Sequence, residues 1–142
     1  MLTLKQLFYR IAEGLLRQNA KAIYYSPSYG PSSVLVSEEG YKHAIGFALD
    51  EQYLEGHVQH SCNLASPALQ SALRESGVNM HDPRTLKMLY QLTCLHDCMD
   101  PETWGAGLHR VAKVFQIPWQ RPVTVSTVEE IKQQFPYAKL PN

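Results

Sequence analysis

Histidine nitrogen and cysteine thiolate are the side-chain groups zinc takes at tetrahedral sites. They gather at two places in this chain: His57-Val58-Gln59-His60-Ser61-Cys62 and Cys94-Leu95-His96-Asp97-Cys98. The spacing matches no standard finger, ribbon or knuckle. Cys94 and Cys98 stand four residues apart and share one helical face, so His96 and Asp97 point elsewhere and the whole group cannot converge. A thiol nucleophile needs a histidine in hydrogen-bond reach and a lowered thiol pKa, and nothing local selects a pair among Cys62, Cys98, His57, His60 and His96. The cysteines therefore read as small buried apolar groups. His96-Asp97 reads as a helix-terminal pair, the imidazole favoured by the helix dipole and the carboxylate bonding locally. There is no Gly-rich phosphate loop, no His-Glu-x-x-His pair and no Gly-x-Ser-x-Gly elbow. The expectation is a non-catalytic protein with no metal and no cofactor.

A second kind of signal is aromatic. Tyr24, Tyr25, Tyr29, Tyr41 and Tyr53 crowd a turn-rich stretch that carries little charge. Tyrosine offers a large, rigid contact area with a hydrogen-bonding tip, the combination used at protein interfaces. These five are the candidate partner-binding residues, with the loop between Glu51 and Ser66 as a further candidate surface. Arg74, Arg84 and Lys87 are the candidates for meeting the phosphates of a small nucleotide-like ligand.

The elements that must position these groups follow from periodicity and punctuation. Leu4, Leu7, Phe8, Ile11, Leu15 and Leu16 lie on one face of a helix from Thr3 to about Ala20, opened by a Thr3/Gln6 capping box. From Ile23 to Leu49, β-formers alternate with Pro27, Gly30, Pro31 and Gly40, which predicts a short hairpin or meander with a turn at Glu38-Glu39-Gly40. Ala44 to Leu49 suits either a buried strand or a turn or two of helix. Ser66-Pro67, Asp82-Pro83 and Asp100-Pro101 each open a helix with a polar cap and a proline in the first turn. The second carries Leu86, Leu89, Tyr90, Thr93 and Asp97 at helical spacing, and the third Trp104, Leu108, Val111, Ala112 and Phe115. The fold class expected is α+β, four or five helices on a small antiparallel sheet, with an all-α bundle as the alternative. Residues 1–117 make the globular domain. Residues 118–142 form a strap, extended through Pro122-Val123-Thr124-Val125, with a short helix capped at Ser126 or Thr127 and ended by Pro136.

Bulk properties narrow the function. The chain has 142 residues, enough for one self-sufficient core. Thirteen basic and thirteen acidic residues cancel, so no long-range field draws the chain onto a phosphate backbone, and general nucleic-acid binding is disfavoured. Zero net charge also removes the repulsion between copies, which favours a homo-oligomer or a stable complex. Three cysteines and an opening Met1-Leu2-Thr3-Leu4-Lys5 point to the cytoplasm with reduced thiols. No window approaches the roughly 18 apolar residues that span a bilayer.

Leu15-Leu16-Arg17-Gln18-Asn19-Ala20-Lys21, the stretch Tyr41 to Tyr53 with its Ala44-Ile45-Gly46 turn, Leu95-His96-Asp97 and Asp100-Pro101-Glu102-Thr103-Trp104 together resemble short uncharacterised proteins of tailed phages and prophages. The resemblance runs in patches over residues 3–117. It departs at His43, where the pattern has a cysteine beside the Ala-Ile-Gly turn. It implies the setting of an infected bacterial host and, with no catalytic motif present, a small protein that binds and inhibits a host protein, such as a CRISPR effector or another defence complex. The alternatives from the residues are an oligomeric binder that sequesters a nucleotide-like ligand, and a zinc- or thiol-dependent enzyme built on the His/Cys cluster.

Overall fold

A computed structural model of the chain describes residues 1–55 and 62–119. His57, His60, the Pro122–Val125 extension and the helix expected beyond it lie outside the described residues.

Helix α1 (Leu4–Gln18) starts where the sequence places it. Gln6 N–H donates to Thr3 Oγ1 at 3.1 Å and Thr3 N–H to Gln6 Oε1 at 2.9 Å, the reciprocal capping box. Asn19 ends it in the left-handed region (φ 51°), and its N–H caps Leu15 O. The chain then turns into an antiparallel hairpin, β1 (Ile23–Ser26) and β2 (Gly30–Ser33), in the register Ile23 to Ser33, Tyr24 to Ser32, Tyr25 to Pro31 and Ser26 to Gly30. Gly30 takes φ 75° at the loop exit, a conformation glycine adopts without steric cost. A bridge between Val36 and Lys42 closes the second turn, at Glu38-Glu39-Gly40.

The ambiguous apolar run forms a five-residue helix, α2 (Ala44–Ala48), with His43 as its N-cap. It packs closely on α1. On its other side Gly46 lets α2 lie against the Leu35 backbone: a Cβ there would lie 2.7 Å from the Leu35 carbonyl oxygen. Helices α3 (Pro67–Glu75), α4 (Pro83–Cys98) and α5 (Trp104–Val114) follow, the last preceded by a 3-10 turn at Pro101–Thr103. Ser66 and Asp82 cap α3 and α4 as expected, each with proline in the first turn.

The fold is thus α+β: among the described residues, five α-helices enclose the core and one two-stranded antiparallel sheet stands against them. Phe8, Ile11 and Leu15 of α1 meet Ile45 of α2, Leu92 of α4 and Trp104 and Leu108 of α5 in one cluster. Trp119 joins it by setting its ring edge-on to Phe8 at 5.1 Å, so the strap begins by packing on α1. No described helix is long and apolar enough to cross a membrane.

The stripe read on α4 divides between core and surface. The inward side of α4 is Thr85, Met88, Leu89, Leu92, Leu95 and His96. Leu86 and Tyr90 are exposed. The spacing of Leu86, Tyr90, Thr93 and Asp97 does mark a helical face, but that face borders solvent and a cavity beside the hairpin.

Candidate functional site

Four segments meet at the C-terminal end of α4. Asp97 Oδ1 accepts three hydrogen bonds: from Ser33 Oγ of β2 at 2.6 Å, from His43 Nε2 at the start of α2 at 3.0 Å, and from His96 Nδ1 of its own helix at 2.8 Å. Both imidazoles are fully buried, their ring centroids 4.2 Å apart. The far nitrogen of each ring is also committed. His43 Nδ1 accepts the Ile45 N–H at 3.1 Å, and His96 Nε2 accepts the Ala22 N–H at 3.1 Å. A nitrogen that accepts from an amide carries no proton, so both ring protons sit on the nitrogens that face Asp97. Trp104 stacks on the outer side of His96 at 5.6 Å and donates its own N–H to Met99 O.

The electrostatics follow from this wiring. Burial pushes the Asp97 carboxyl upward, yet the hydrogen bonds from His43, His96 and Ser33 outweigh it and hold the group well below the usual carboxylate range. Burial pushes His96 down, against the opposing pull of its bond to Asp97. The result is an ionised carboxylate held by three hydrogen-bond donors. Lys21 Nζ reaches the Asp97 backbone carbonyl at 3.2 Å.

His43, His96 and Asp97 bring three possible metal-ligating atoms within 4.8 Å of one another. The donor set does not suit a cation. Metal-ligating imidazoles present a bare nitrogen to the ion and donate the other N–H outward. Here the Ile45 and Ala22 amides enforce the reverse, so an ion in the cluster would face two N–H groups. Both rings would have to give up a buried backbone donor before they could ligate.

Beside Asp97 lies a cavity of about 330 Å³ lined by Ser33, Cys62, Asn63, Leu64, Tyr90, Thr93 and Asp97. Cys62 is buried, and burial together with the Asp97 charge pushes its thiol far up, away from the thiolate form a nucleophile needs. Cys94 is half-buried and Cys98 exposed. Among the described residues no cysteine joins a group of three metal-ligating side chains.

The tyrosines separate by environment. Tyr25 and Tyr29 are 68% and 91% exposed on the hairpin, and Tyr41 is exposed near the second turn. Tyr24 is half-buried on the opposite face of β1. Tyr53 is also half-buried and donates its hydroxyl to Glu75 at 2.6 Å. Arg74, Arg84 and Lys87 are exposed, Arg84 donates to Phe115 O at 3.0 Å, and none of the three lines the cavity beside Asp97.

The sequence reading missed Ser33, noted His43 only as a departure from the phage-protein pattern, and took the bonds of His96-Asp97 to be local. The structure corrects the last point. Asp97 bonds across 64 residues to Ser33 and 54 to His43, and His96 across 74 to Ala22, because the end of α4 abuts the hairpin foot and has partners there better than its own last turn. Comparison with protein-family models, with curated proteins and with solved structures finds no match for this chain.

Proposed function

We propose that this chain is a non-catalytic binding protein that engages a protein through its tyrosine-bearing hairpin, its target being a protein of a bacterial host such as a defence complex. The observation that carries the reading is the pairing of exposure with rigidity. Tyr25 and Tyr29 project from a hairpin whose two strands are tied at the foot, β2 by Ser33 to Asp97 and β1 by the Ala22 N–H to His96. Large aromatic side chains on a preorganised support lose little entropy on binding, and such residues dominate interface energetics. The polar cluster supports the same reading by what its wiring forbids. A carboxylate held far below neutral pH is a poor general base, and imidazoles whose accepting nitrogens are occupied by amides cannot take a proton from a substrate. The resemblance to short phage proteins supplies the class of partner.

The test compares capture from bacterial lysate by the tagged protein and by the Tyr25→Ala/Tyr29→Ala double variant. The expected result is one protein retained at fixed stoichiometry by the native chain and lost from the variant, with the thermal midpoint unchanged. Equal retention by both chains sinks the hairpin assignment. A variant that melts early would place the rings in the fold and not at an interface.

A further inference from the structure

The cavity beside Asp97 combines a fixed charge with unmet hydrogen-bonding capacity. Oδ1 carries all three bonds to the carboxylate, and none is made to Oδ2 among the described residues. The side chain is 34% exposed and lines the cavity. Its ion-pair partners within 4.0 Å are the two imidazoles, which are neutral in this wiring, so the cluster keeps a net negative charge. Lys21 Nζ donates to the Asp97 backbone carbonyl and keeps its positive charge there, but it does not line the cavity and makes no bond to Oδ2. One turn before Asp97 on α4, the Thr93 hydroxyl is buried with no hydrogen-bond partner, in a residue that lines the same cavity. A buried hydroxyl left unmatched costs about 1–3 kcal/mol, so a native chain that keeps one invites a ligand that pairs it. Asn63 Oδ1 accepts one bond, from the Ala65 N–H at 2.9 Å, and has acceptor capacity left. The ring of Tyr90 forms an exposed wall.

We propose that this cavity receives a primary ammonium, the side-chain terminus of a lysine presented by the protein bound at the hairpin. The acceptor geometry selects ammonium over guanidinium. An arginine fork needs both carboxylate oxygens for its parallel bonds, and Oδ1 is already crowded by three donors. An ammonium is a point charge with three donors. It can bond Oδ2, the Thr93 hydroxyl after a side-chain rotation, and Asn63 Oδ1, while its methylenes lie along Leu64 and the Tyr90 ring. Ser33 both lines the cavity and ends β2, so the site lies at the foot of the hairpin that carries Tyr25 and Tyr29. The inference rests on the hairpin-binding reading for the source of the lysine; the ammonium site itself is tested without any partner.

The probe is Nα-acetyl-lysine methylamide, titrated into the full chain and followed by amide shifts of Asn63, Thr93 and Asp97. The Nε-acetylated compound and the arginine analogue serve as controls. Saturable shifts are expected with lysine, absent with the acetylated form and at least about tenfold weaker with arginine, one such factor being roughly 1.4 kcal/mol. Thr93→Val should weaken the lysine probe by about three- to tenfold, the worth of one hydrogen bond, while leaving the thermal midpoint equal or higher. A structural hydroxyl would do the opposite, lowering the midpoint and leaving the probe affinity alone. No saturable shift, or equal response to the acetylated compound, overturns the proposal. Tyr25→Ala/Tyr29→Ala should bind the probe as the native chain does, so failure of the ammonium site and failure of the hairpin reading give different results.

Discussion

Removing the Asp97 carboxylate should loosen the hairpin foot by an amount the hydrogen bonds allow to be worked out. Asp97→Ala deletes the acceptor of three donors, two of them ring N–H groups on fully buried histidines. Each orphaned buried donor costs about 1–3 kcal/mol. The Ser33 hydroxyl is exposed and rewets at little cost. Water admitted through the neighbouring cavity offsets part of the penalty, so the net loss expected is about 3 kcal/mol, toward the lower part of the range for breaking a buried polar pair. Asp97→Asn keeps an acceptor oxygen where Oδ1 stands and loses only charge assistance. With charge-assisted bonds roughly twice as strong as neutral ones, its two buried bonds weaken together by about 2 kcal/mol. For a domain of this size 1 kcal/mol moves the thermal midpoint by about 4 °C, so the alanine variant should melt some 12 °C early and the asparagine variant some 8 °C early. Thermal unfolding by far-ultraviolet circular dichroism reads both, and hydrogen exchange at Ile23 and Tyr24 should accelerate before exchange in α1. An alanine variant within about 2 °C of native, or one milder than asparagine, would refute the reasoning, because the bonds would then be worth no more than exposed ones.

Acid should act on the same junction. His96 is held neutral below its ordinary 6.5, so the unfolded chain takes up the proton first, and the stability present above that value is lost as pH falls through it. Asp97, held below 3.8, adds a loss of the same sign at lower pH; Lys21, His43, Ser33 and Cys62 are the groups facing the pair, and a thermal midpoint flat from pH 8 to about pH 5 would contradict this wiring. Gly46→Ala gains about 1 kcal/mol of helix preference but drives a Cβ to 2.7 Å from Leu35 O, a carbonyl pinned by the His43 N–H, so a net loss of about 2 kcal/mol is expected in denaturant titrations. Gly105→Ala, which meets nothing within 4 Å, should be neutral or mildly stabilising, and equal effects at the two positions would show that contact with Leu35 is not what limits residue 46.

Features set by neighbours in sequence were legible, and those set by neighbours in space were not. The capping box, the serine and aspartate caps with their prolines, and the glycine turns at 30 and 40 are decided within four residues, and each stands where the sequence places it. The apolar run from Ala44 satisfies two periodicities. Only its packing on α1 and the His43 cap decide for helix. The site draws on Ser33, His43, His96 and Asp97 from four segments, and no spacing rule joins them. Two local signals were present. His43 stands at an N-cap position before a small-residue helix, where a side-chain acceptor is required, and the stripe Tyr90, Thr93, Asp97 is too polar for a core face.

Why a buried polar junction should hold the hairpin follows from what apolar packing cannot specify. A two-stranded sheet is marginal alone, and an apolar foot would stabilise it about as well as the cluster does. Apolar contact, though, tolerates sliding. Side chains alternate between faces with a period of two, so a slip of one residue in β2 would turn Ser33 away from Asp97 and carry every other side chain of that strand to the wrong face. The strands are held at Ala22, next to the terminal pair Ile23 to Ser33, and at Ser33 within it, so the donors that satisfy Asp97 and His96 are available together only in the observed register. In that register Ser33 shares a sheet face with Ile23 and Tyr25, while Tyr24, half-buried, lies on the other face. The cluster that forgoes chemistry by locking its protons thereby holds the register that places exposed Tyr25 and half-buried Tyr24 on opposite faces of the hairpin.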